Sequence, residues 1–522
     1  MEFMKFGKKR LFDILGFGVV LVWLVMMGVL VKRSYFEAAP VTLSTYQEGS
    51  SFEESETWMA IYQHDNKIGF TRSRIIKQSD GYVVLESAVM NLRAIGDIHR
   101  ISTEIIGRLN EDASLRSFVF QLVSGMVRFE ARGRVEGQCL ILNTGLGGER
   151  RESEILLQEK PFLSIGLWPH LLKRGLIVGA RYRLSLFDPS VMAQRPVEVS
   201  VVGRETVVLD GRRWEAFKVK TIFAGLEIFT WIGPNGERLK EEGLMGLRLV
   251  KTTEDEARVG ISSDPEIDIV EAASVPSNKV LAEPSNLVYL KIRLDGIDPG
   301  GLDLNTGRQG LTGSVLEIVL ESNGRRYEDG TIAAEKPWPR PGLHGLHLDS
   351  GMSRQGGPLP QEVELEPYLK AGPLIQSDRP RIKILARKIV GEVKEDEARA
   401  RRILNWVYES LDKRATVSVP NALDTLKARA GDCNEHAVLF AALLRAAGIP
   451  AKVCTGLVYT RGRFYYHAWN EVFVGEWKTA DALMGQMPAD VTHIKFVEGG
   501  LDRQVEIVRV IGRVKLTVLE AR

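Results

Sequence analysis

An apolar run over residues 14–31 opens the hydrophobic pattern of the chain, and it contains no charged residue. Its 18 residues come close to the roughly 20 that a helix needs to cross a bilayer. Basic residues stand before it at positions 5, 8, 9 and 10, and after it only at 32 and 33. The positive-inside rule then predicts a cytoplasmic N-terminus. We therefore expect residues 1–35 to be a cytoplasmic stub and single transmembrane helix in the inner membrane, with the bulk of the chain periplasmic; a cleaved signal peptide is the alternative.

Hydrophobic and polar positions alternate from about residue 51 to 256, which is typical of β-strands. Phe217, Val219 and Phe223 fall on one face of such a segment, and Lys218 and Lys220 fall on the other. Asp-Gly or Asn-Gly pairs at 80–81, 210–211 and 235–236 favour type I′ hairpin turns. The pattern predicts a β-rich domain over residues 50–260, either an antiparallel sheet or an open barrel, with a short helix near residues 162–172.

A second β pattern predicts a mainly antiparallel domain over residues 265–375. Pro and Gly are frequent between residues 337 and 360, which excludes a helix or a central strand there. His344 and His347 lie in this stretch without an acidic or Cys partner at a metal-binding spacing. We interpret them as solvated loop histidines.

A helical period begins near residue 377 and predicts two helices separated near Gly391. A further helix starts at Cys433 and ends at Gly448, which is followed by Ile449-Pro450. Strands are expected at residues 451–459, 465–474 and 477–482, and in the alternating stretch 504–518. These elements make residues 377–522 the last predicted domain, of mixed helix and strand.

Composition excludes some classes of function. The formal net charge is +2, and the chain has neither a zinc-finger spacing nor a Walker-type phosphate loop, so we expect no nucleic-acid partner. Three cysteines are too few for a disulfide framework. Cys139 and Cys454 are interpreted as buried, inert thiols. Cys433 differs because it stands among polar residues at a predicted helix start.

A thiol at a helix N-terminus, followed by a His and an Asp on two strands, is the arrangement that covalent acyl transfer requires. The helix N-terminus favours the thiolate and is expected to lower the pKa of Cys433. His467 can carry the proton, and Asp481 can fix the tautomer of His467. These three residues are the predicted catalytic set, with no cofactor and no metal ion.

The catalytic set also makes a prediction about strand register. If the strands of His467 and Asp481 are joined by the three-residue loop 474–476, Phe473 opposes Trp477 and Asp481 lies on the face of His467. A two-residue loop would turn Asp481 to the opposite face. The catalytic set therefore predicts the longer loop.

Two sequences carry a resemblance to a known family: Gly-Asp-Cys-Asn-Glu-His-Ala at 431–437 and His-Ala-Trp-Asn-Glu-Val at 467–472. Together with residues 422–426 and 443–451, they resemble the bacterial transglutaminase-like family over about residues 380–500. The resemblance implies a papain-like core, with the nucleophile at Cys433 and its partners at His467 and Asp481, in the calcium-independent branch. The family commonly has Pro after the Asp, whereas this chain has Ala482.

Three side chains near the predicted set have other interpretations. His436 could support the site or join Cys433 and His467 around zinc, but no four-ligand spacing favours a metal site. Glu471 could replace Asp481 as the partner of His467, although a solvated strand-face carboxylate is the default. Trp469 is more often a packing residue than a substrate platform.

The expected fold class is therefore multidomain α+β: an N-terminal transmembrane helix, two mainly antiparallel β domains and a C-terminal papain-like, transglutaminase-like α+β domain. The expected function is that of a membrane-anchored cysteine enzyme. It would perform acyl transfer or hydrolysis at amide or peptide bonds of a protein or peptide in the cell envelope, through a thioester on Cys433. The alternative is a non-catalytic envelope binding or scaffold protein with the same fold. The sequence does not choose between cross-linking and hydrolysis.

Overall fold

The computed structural model describes residues 54–321 and 364–522, apart from gaps at 126, 145–150, 224, 234–235, 244–245 and 417–418, together with the backbone of a short strand at 41–42. The described residues are mostly β, with 48% in strands and 19% in helices. The strands are β1 Val41–Thr42, β2 Ser55–Gln63, β3 Asn66–Gln78, β4 Gly81–Ala94, β5 Asp97–Leu109, β6 Leu115–Ser124, β7 Val127–Glu136, β8 Cys139–Thr144, β9 Arg151–Leu156, β10 Arg181–Asp188, β11 Ala193–Leu209, β12 Arg212–Phe223, β13 Leu226–Ile232, β14 Arg238–Glu242, β15 Leu247–Thr252, β16 Val275–Pro276, β17 Tyr289–Asp295, β18 Gln309–Thr312, β19 Val315–Val319, β20 Asp412–Lys413, β21 Ala430–Gly431, β22 Ala451–Thr460, β23 Arg463–Phe473, β24 Trp477–Ala480, β25 Ile494–Glu498 and β26 Lys515–Ala521.

Helices occupy a smaller part of the described chain. The α-helices are α1 Ser164–Lys173, α2 Glu254–Arg258, α3 Ile269–Ala273, α4 Pro380–Val390, α5 Asp396–Ser410, α6 Ala422–Ala428, α7 Cys433–Ala446 and α8 Leu501–Gln504. Short 3₁₀ turns lie at Pro284–Asn286, Glu366–Tyr368 and Val505–Arg509. The predicted break between two helices at Gly391 is confirmed, because α4 ends at Val390 and Gly391 has a φ of 55°.

One large sheet of fifteen strands holds β1 to β15. Its neighbours run in chain order through two meanders, β10 to β15 and β2 to β9, which join where β15 pairs antiparallel with β2. The predicted turn between β11 and β12 is confirmed: Asp210 and Gly211 have φ angles of 49° and 74°, and a type I′ turn needs both to be positive. Helix α1 interrupts the sheet as the sequence predicted.

The residues that follow form two smaller sheets. Strands β16, β23, β22 and β25 lie side by side in one, and β24 pairs with β23 at the same sheet. In the other, β17 lies between β19 and β26, so the strand Lys515–Ala521 completes a sheet that begins more than two hundred residues earlier. Helix α7 packs on β22 and β23 and on α4, α5 and α6. The predicted domain boundaries stay predictions.

Two apolar cores support the region around Cys433. One is continuous from the β4–β8 part of the large sheet, through residues such as Phe118 and Leu142, to the buried face of α7 around Phe440. The other joins β17 and β19 to β22 and β25, through residues such as Ile292 and Phe496. The large sheet therefore packs against the helical region through the first core, and the second β region packs against β22 and β25 through the second.

The predicted fold class is wrong in two respects. The described chain is mostly β, because helical period is confined to short segments while strand alternation continues for up to seventeen residues in β11. The second β region also shares its sheet with β26, a pairing between segments too far apart in the chain for local patterns to reveal. Residues 14–31 lie outside the described residues. Within the described ranges, the structure has no helix long and apolar enough to cross a membrane. His344 and His347 also lie outside them.

Candidate active site

Helix α7 begins at Cys433 because Asp432 caps it. The Asp432 carboxylate accepts a hydrogen bond from the Asn434 N–H at 2.9 Å, and the Glu435 carboxylate accepts one from the Asp432 N–H at 3.0 Å. This reciprocal capping box satisfies backbone donors that a helix start otherwise leaves open. It places the thiol of Cys433 at the first position of the helix, as the sequence predicted.

The thiol of Cys433 is half-buried, and its sulfur accepts a hydrogen bond from the backbone N–H of Ala468, the residue after His467. Burial raises the pKa of the Cys433 thiol well above its usual value, and the carboxylate of Asp432 raises it further. Burial and the nearby Glu435 likewise raise the pKa of Asp432. The lower thiol pKa expected from the helix start alone is therefore wrong, because burial and acidic neighbours oppose it.

The register between β23 and β24 places His467 and Asp481 together. Phe473 pairs with Trp477 and Asn470 with Ala480, so the connecting loop has the three predicted residues. The carboxylate oxygen Oδ2 of Asp481 lies 2.6 Å from Nε2 of His467. Because this bond occupies Nε2, Nδ1 is the ring nitrogen left to exchange a proton with a thiol.

Asp481 is fully buried, and its carboxylate is held from both sides. Its second oxygen, Oδ1, accepts the N–H groups of Leu483 at 2.7 Å and Met484 at 3.0 Å. These bonds form a tight turn that fixes the carboxylate where the resembling family commonly has Pro. Burial alone would raise the pKa of Asp481, but the charge and hydrogen bonds of the neighbouring histidines outweigh it and hold the pKa far below its usual range.

His493 is a site residue that the sequence analysis missed. Its Nε2 lies 3.0 Å from Oδ2 of Asp481, the same oxygen that contacts His467. Its Nδ1 faces the carboxylate of Asp490, 3.3 Å away. The spacing Asp490-Val491-Thr492-His493 resembles a local Asp-capped turn, which is the only signal that the sequence offers.

The other side chains considered near the site have structural partners. Trp469 is buried and stacks on His467, with ring centroids 6.2 Å apart, so it packs against the site. Glu471 is neither solvated nor a partner of His467, because it is buried against Lys495 with a 2.6 Å contact. Nδ1 of His436 lies 2.7 Å from the backbone oxygen of Asp432. Cys454 is fully buried, as predicted, whereas Cys139 is half-buried.

His467, Asp481 and His493 could together hold a metal ion, since one ligand atom from each lies within 4.8 Å of the others. This set differs from the Cys433, His436 and His467 set considered from the sequence. The contacts of 2.6 and 3.0 Å from the two rings to one carboxylate oxygen are ordinary lengths for charge-assisted hydrogen bonds. Both contacts are therefore accounted for as hydrogen bonds that the two rings donate to the ionised carboxylate of Asp481.

Residues 383–482 match the transglutaminase-like superfamily. This segment is a transglutaminase-like domain. It contains Cys433, His467 and Asp481 but ends before His493. The match covers well under half of the chain, and no curated protein matches the chain significantly.

Three solved structures resemble parts of the chain. A candidate cysteine protease from Cytophaga hutchinsonii is 24% identical, with a TM-score of 0.24; the match covers 31% of this chain and 55% of that protein, so this chain spans about half its length. A β-barrel-like protein of a domain of unknown function from Brucella abortus is 11% identical, with a TM-score of 0.32, and covers 38% of this chain and 96% of its own. A candidate protease from Parabacteroides distasonis is 10% identical, with a TM-score of 0.20, and covers 82% of this chain and 70% of its own. TM-scores this low do not establish a shared fold, so the transglutaminase-like domain rests on the superfamily match.

Proposed function

We propose that the protein is a cysteine enzyme that performs acyl transfer or hydrolysis at amide or peptide bonds, with Cys433, His467 and Asp481 as its catalytic residues. The observation that carries this proposal is the 2.6 Å contact between His467 and Asp481. The Cys433 sulfur accepts a hydrogen bond from the N–H of Ala468, the residue that follows His467. The superfamily match over residues 383–482 supports the same class of enzyme.

In the first half-reaction, the Cys433 thiol gives its proton to Nδ1 of His467 as the sulfur bonds to the substrate carbonyl carbon. The carbonyl oxygen becomes an oxyanion, for which we propose the backbone N–H of Cys433 as a donor, since the N–H of Asn434 already binds Asp432. His467 then protonates the leaving amine as the C–N bond breaks, which leaves a thioester on Cys433. Water or a second amine attacks this thioester in the second half-reaction and releases the thiol.

Asp481 keeps His467 in one tautomer, with its proton on Nε2, and stabilises the imidazolium that forms during the reaction. It can do so because its own carboxylate stays ionised under four hydrogen bonds. Replacing Asp481 with Asn keeps the shape but removes the charge, and we expect this to slow turnover by about a hundredfold or more.

Acylation by p-nitrophenyl acetate tests the proposal without knowledge of the natural substrate. We expect a burst of p-nitrophenolate and an acetyl group on the peptide that contains Cys433, found by mass spectrometry. The burst should be absent in Cys433→Ala and strongly slowed in His467→Ala. Cys139→Ala is the matched control, because it removes another half-buried thiol far along the chain. An equal burst in Cys433→Ala would refute the proposal.

The fate of the thioester needs a separate assay. Fluorescein-labelled casein reports hydrolysis, and incorporation of dansylcadaverine into unlabelled casein reports transfer to an amine. Both signals should depend on Cys433. The release of small peptides without dansyl incorporation would assign the protein to the hydrolases. The proposed partner is a protein or peptide, and a periplasmic location stays a prediction.

A non-catalytic binding protein is the second candidate, and one observation favours it. A thiol whose pKa is raised by burial and by Asp432 is a poor nucleophile at rest. The two candidates differ in their response to His467→Ala. If the thiol is merely a buried side chain, its reaction with p-nitrophenyl acetate will not depend on His467.

A further inference from the structure

His493 is enclosed by two carboxylates. Its side chain is fully buried, with Nε2 at 3.0 Å from Asp481 Oδ2 and Nδ1 at 3.3 Å from Asp490 Oδ1. An ionised carboxylate only accepts hydrogen bonds, so each ring nitrogen that faces one must carry a proton. The geometry therefore requires a positively charged imidazole at His493.

Both carboxylates are surrounded by donors that keep them ionised. Asp490 Oδ1 accepts the N–H of Thr492 at 2.9 Å and its hydroxyl at 2.6 Å, and Asp490 Oδ2 accepts the side-chain amide of Gln486 at 3.2 Å. Burial opposes a charge on His493, but the hydrogen bonds that its ring donates to Asp481 and Asp490 outweigh burial and raise the pKa of His493 to about 9. The positive charge that the hydrogen bonds require at His493 therefore agrees with the raised pKa of its ring.

The segment that carries His493 is fixed from outside the transglutaminase-like domain. The buried guanidinium of Arg308 donates to the backbone oxygens of Ala489, Asp490 and His493, and it pairs with Glu321 at 2.9 Å. Glu321 also accepts the N–H of Thr479 in β24. The second β region thus clamps the position of His493 relative to the strand that precedes Asp481.

A cation at His493 changes the electrostatics of the catalytic pair. The rings of His467 and His493 are 5.7 Å apart and share one carboxylate oxygen, so a second positive charge on His467 would be repelled. On the other side of the pair, burial raises the pKa of the Cys433 thiol, and the carboxylates of Asp432, Glu435 and Asp481 raise it further, which opposes a thiolate. The charged groups on both sides thus disfavour a thiolate–imidazolium pair.

We propose that His493 is a positioning residue whose buried positive charge, held between Asp481 and Asp490, offsets the charge of Asp481 and disfavours the thiolate–imidazolium pair of Cys433 and His467. The catalytic purpose of this arrangement rests on the proposed function. The charge of His493 and its effect on the Cys433 thiol are independent of the proposed function, and both can be measured without a substrate.

The first experiment measures the charge of His493. In protein labelled with ¹⁵N-histidine, long-range ¹H–¹⁵N spectra distinguish an imidazolium from either neutral tautomer. At pH 7 we expect one buried histidine to show imidazolium nitrogens and to lose a proton only near pH 9. That signal should vanish in His493→Gln and remain in His170→Gln, a control at another buried histidine, in α1. A neutral ring at His493 would overturn the proposal.

The second experiment measures the effect of the charge on the thiol. His493→Gln keeps a donor toward Asp481 and removes the positive charge, so the thiolate–imidazolium pair becomes more favourable. We expect iodoacetamide to alkylate Cys433 about ten to a hundred times faster at pH 7, where the upper value corresponds to the full repulsion of two charges about 6 Å apart at an effective dielectric of about 20. Cys139 in the same molecules serves as the reference. A purely structural role predicts an unchanged or slower rate, which would overturn the proposal.

Asp490→Asn provides a second variant should His493→Gln fail to fold. It leaves the histidine in place and removes one of its carboxylates, so His493 should titrate below its wild-type midpoint and Cys433 alkylation should rise by a smaller factor. An unshifted His493 titration would count against the proposal. So would a stoichiometric zinc ion in the purified wild type, because the ring nitrogens would then be metal ligands. If the proposed function fails instead, Cys433 alkylation will be insensitive to His467→Ala while the His493 imidazolium signal persists.

Discussion

Gly456 is the position where a single methyl group should disturb both the stability and the site of the protein. It lies on β22, opposite His467 on β23 and beside Lys495 on β25. A Cβ atom at Gly456 would stand 1.9 Å from the backbone oxygen of Ile494, about 1.5 Å closer than an ordinary contact of 3.4 Å. Glycine is required here because β25 approaches β22 this closely.

The loss of stability in Gly456→Ala depends on how far β25 must be displaced from β22. A backbone oxygen cannot rotate away as a flexible side chain can, so Gly456→Ala must push β25 from β22. Overpacking of a core typically costs about 1–3 kcal/mol, and we expect the upper end, about 3 kcal/mol of unfolding free energy. His493 directly precedes β25, so its contact with Asp481 should also lengthen.

Urea unfolding followed by tryptophan fluorescence would measure the loss of stability, with Cys433 alkylation as the readout of the site. Gly203→Ala is the matched control: Gly203 also lies in a strand, β11, but a Cβ there meets nothing within 4 Å. That variant should stay within about 0.5 kcal/mol of the wild type. If Gly456→Ala were equally harmless, the close approach of β25 would not be a property of the protein in solution.

Three further predictions concern charged groups of the site. First, folding raises the pKa of His493 from 6.5 to about 9, so the protonated ring should contribute about 3 kcal/mol to stability below pH 6.5. This contribution should be lost as the pH rises through 9. Urea midpoints measured between pH 6 and 10 should show the loss in the wild type and not in His493→Gln. Second, the alkylation of Cys433 in the wild type should have its midpoint above the free thiol value of about 8.5, and a midpoint below it would mean that the helix start and His467 outweigh burial. Third, Arg308→Lys keeps the charge but loses the forked contacts to three backbone oxygens, so thermal unfolding should show a decrease of about 1–3 kcal/mol in the free energy of unfolding. An unchanged free energy would mean that Arg308 does not hold the segment of His493 in place.

The sequence predicted the parts of the site that local rules determine. The helix start at Cys433 was predicted from the polar residues around it, and the structure adds the capping box of Asp432 and Glu435. The three-residue loop before Trp477 follows from the need to place His467 and Asp481 on one face. Both depend on residues close together in the chain. Their geometry could therefore be reasoned from spacing alone.

The missed features depend on contacts between distant segments. His493 reaches Asp481 only because β25 pairs with β22, out of chain order, and Arg308 holds that segment from another sheet. The raised pKa of Cys433 has the same origin, since burial is a property of the packed molecule and not of a helix start. The overall fold class was wrong for a related reason, because alternation predicts strands but not which strands become neighbours.

The pairing of β26 with β17 affects how the protein can be made. A fragment that starts at the predicted boundary of residue 377 would keep Lys515–Ala521 but lose Tyr289–Asp295, leaving an unpaired strand edge and uncovering apolar side chains such as Val518. We expect such a fragment to aggregate on expression. During synthesis, β17 must likewise remain without this partner until β26 has emerged from the ribosome, so the apolar core that joins β17 to β22 and β25 is completed late. The chain cannot assemble this sheet domain by domain as it is translated.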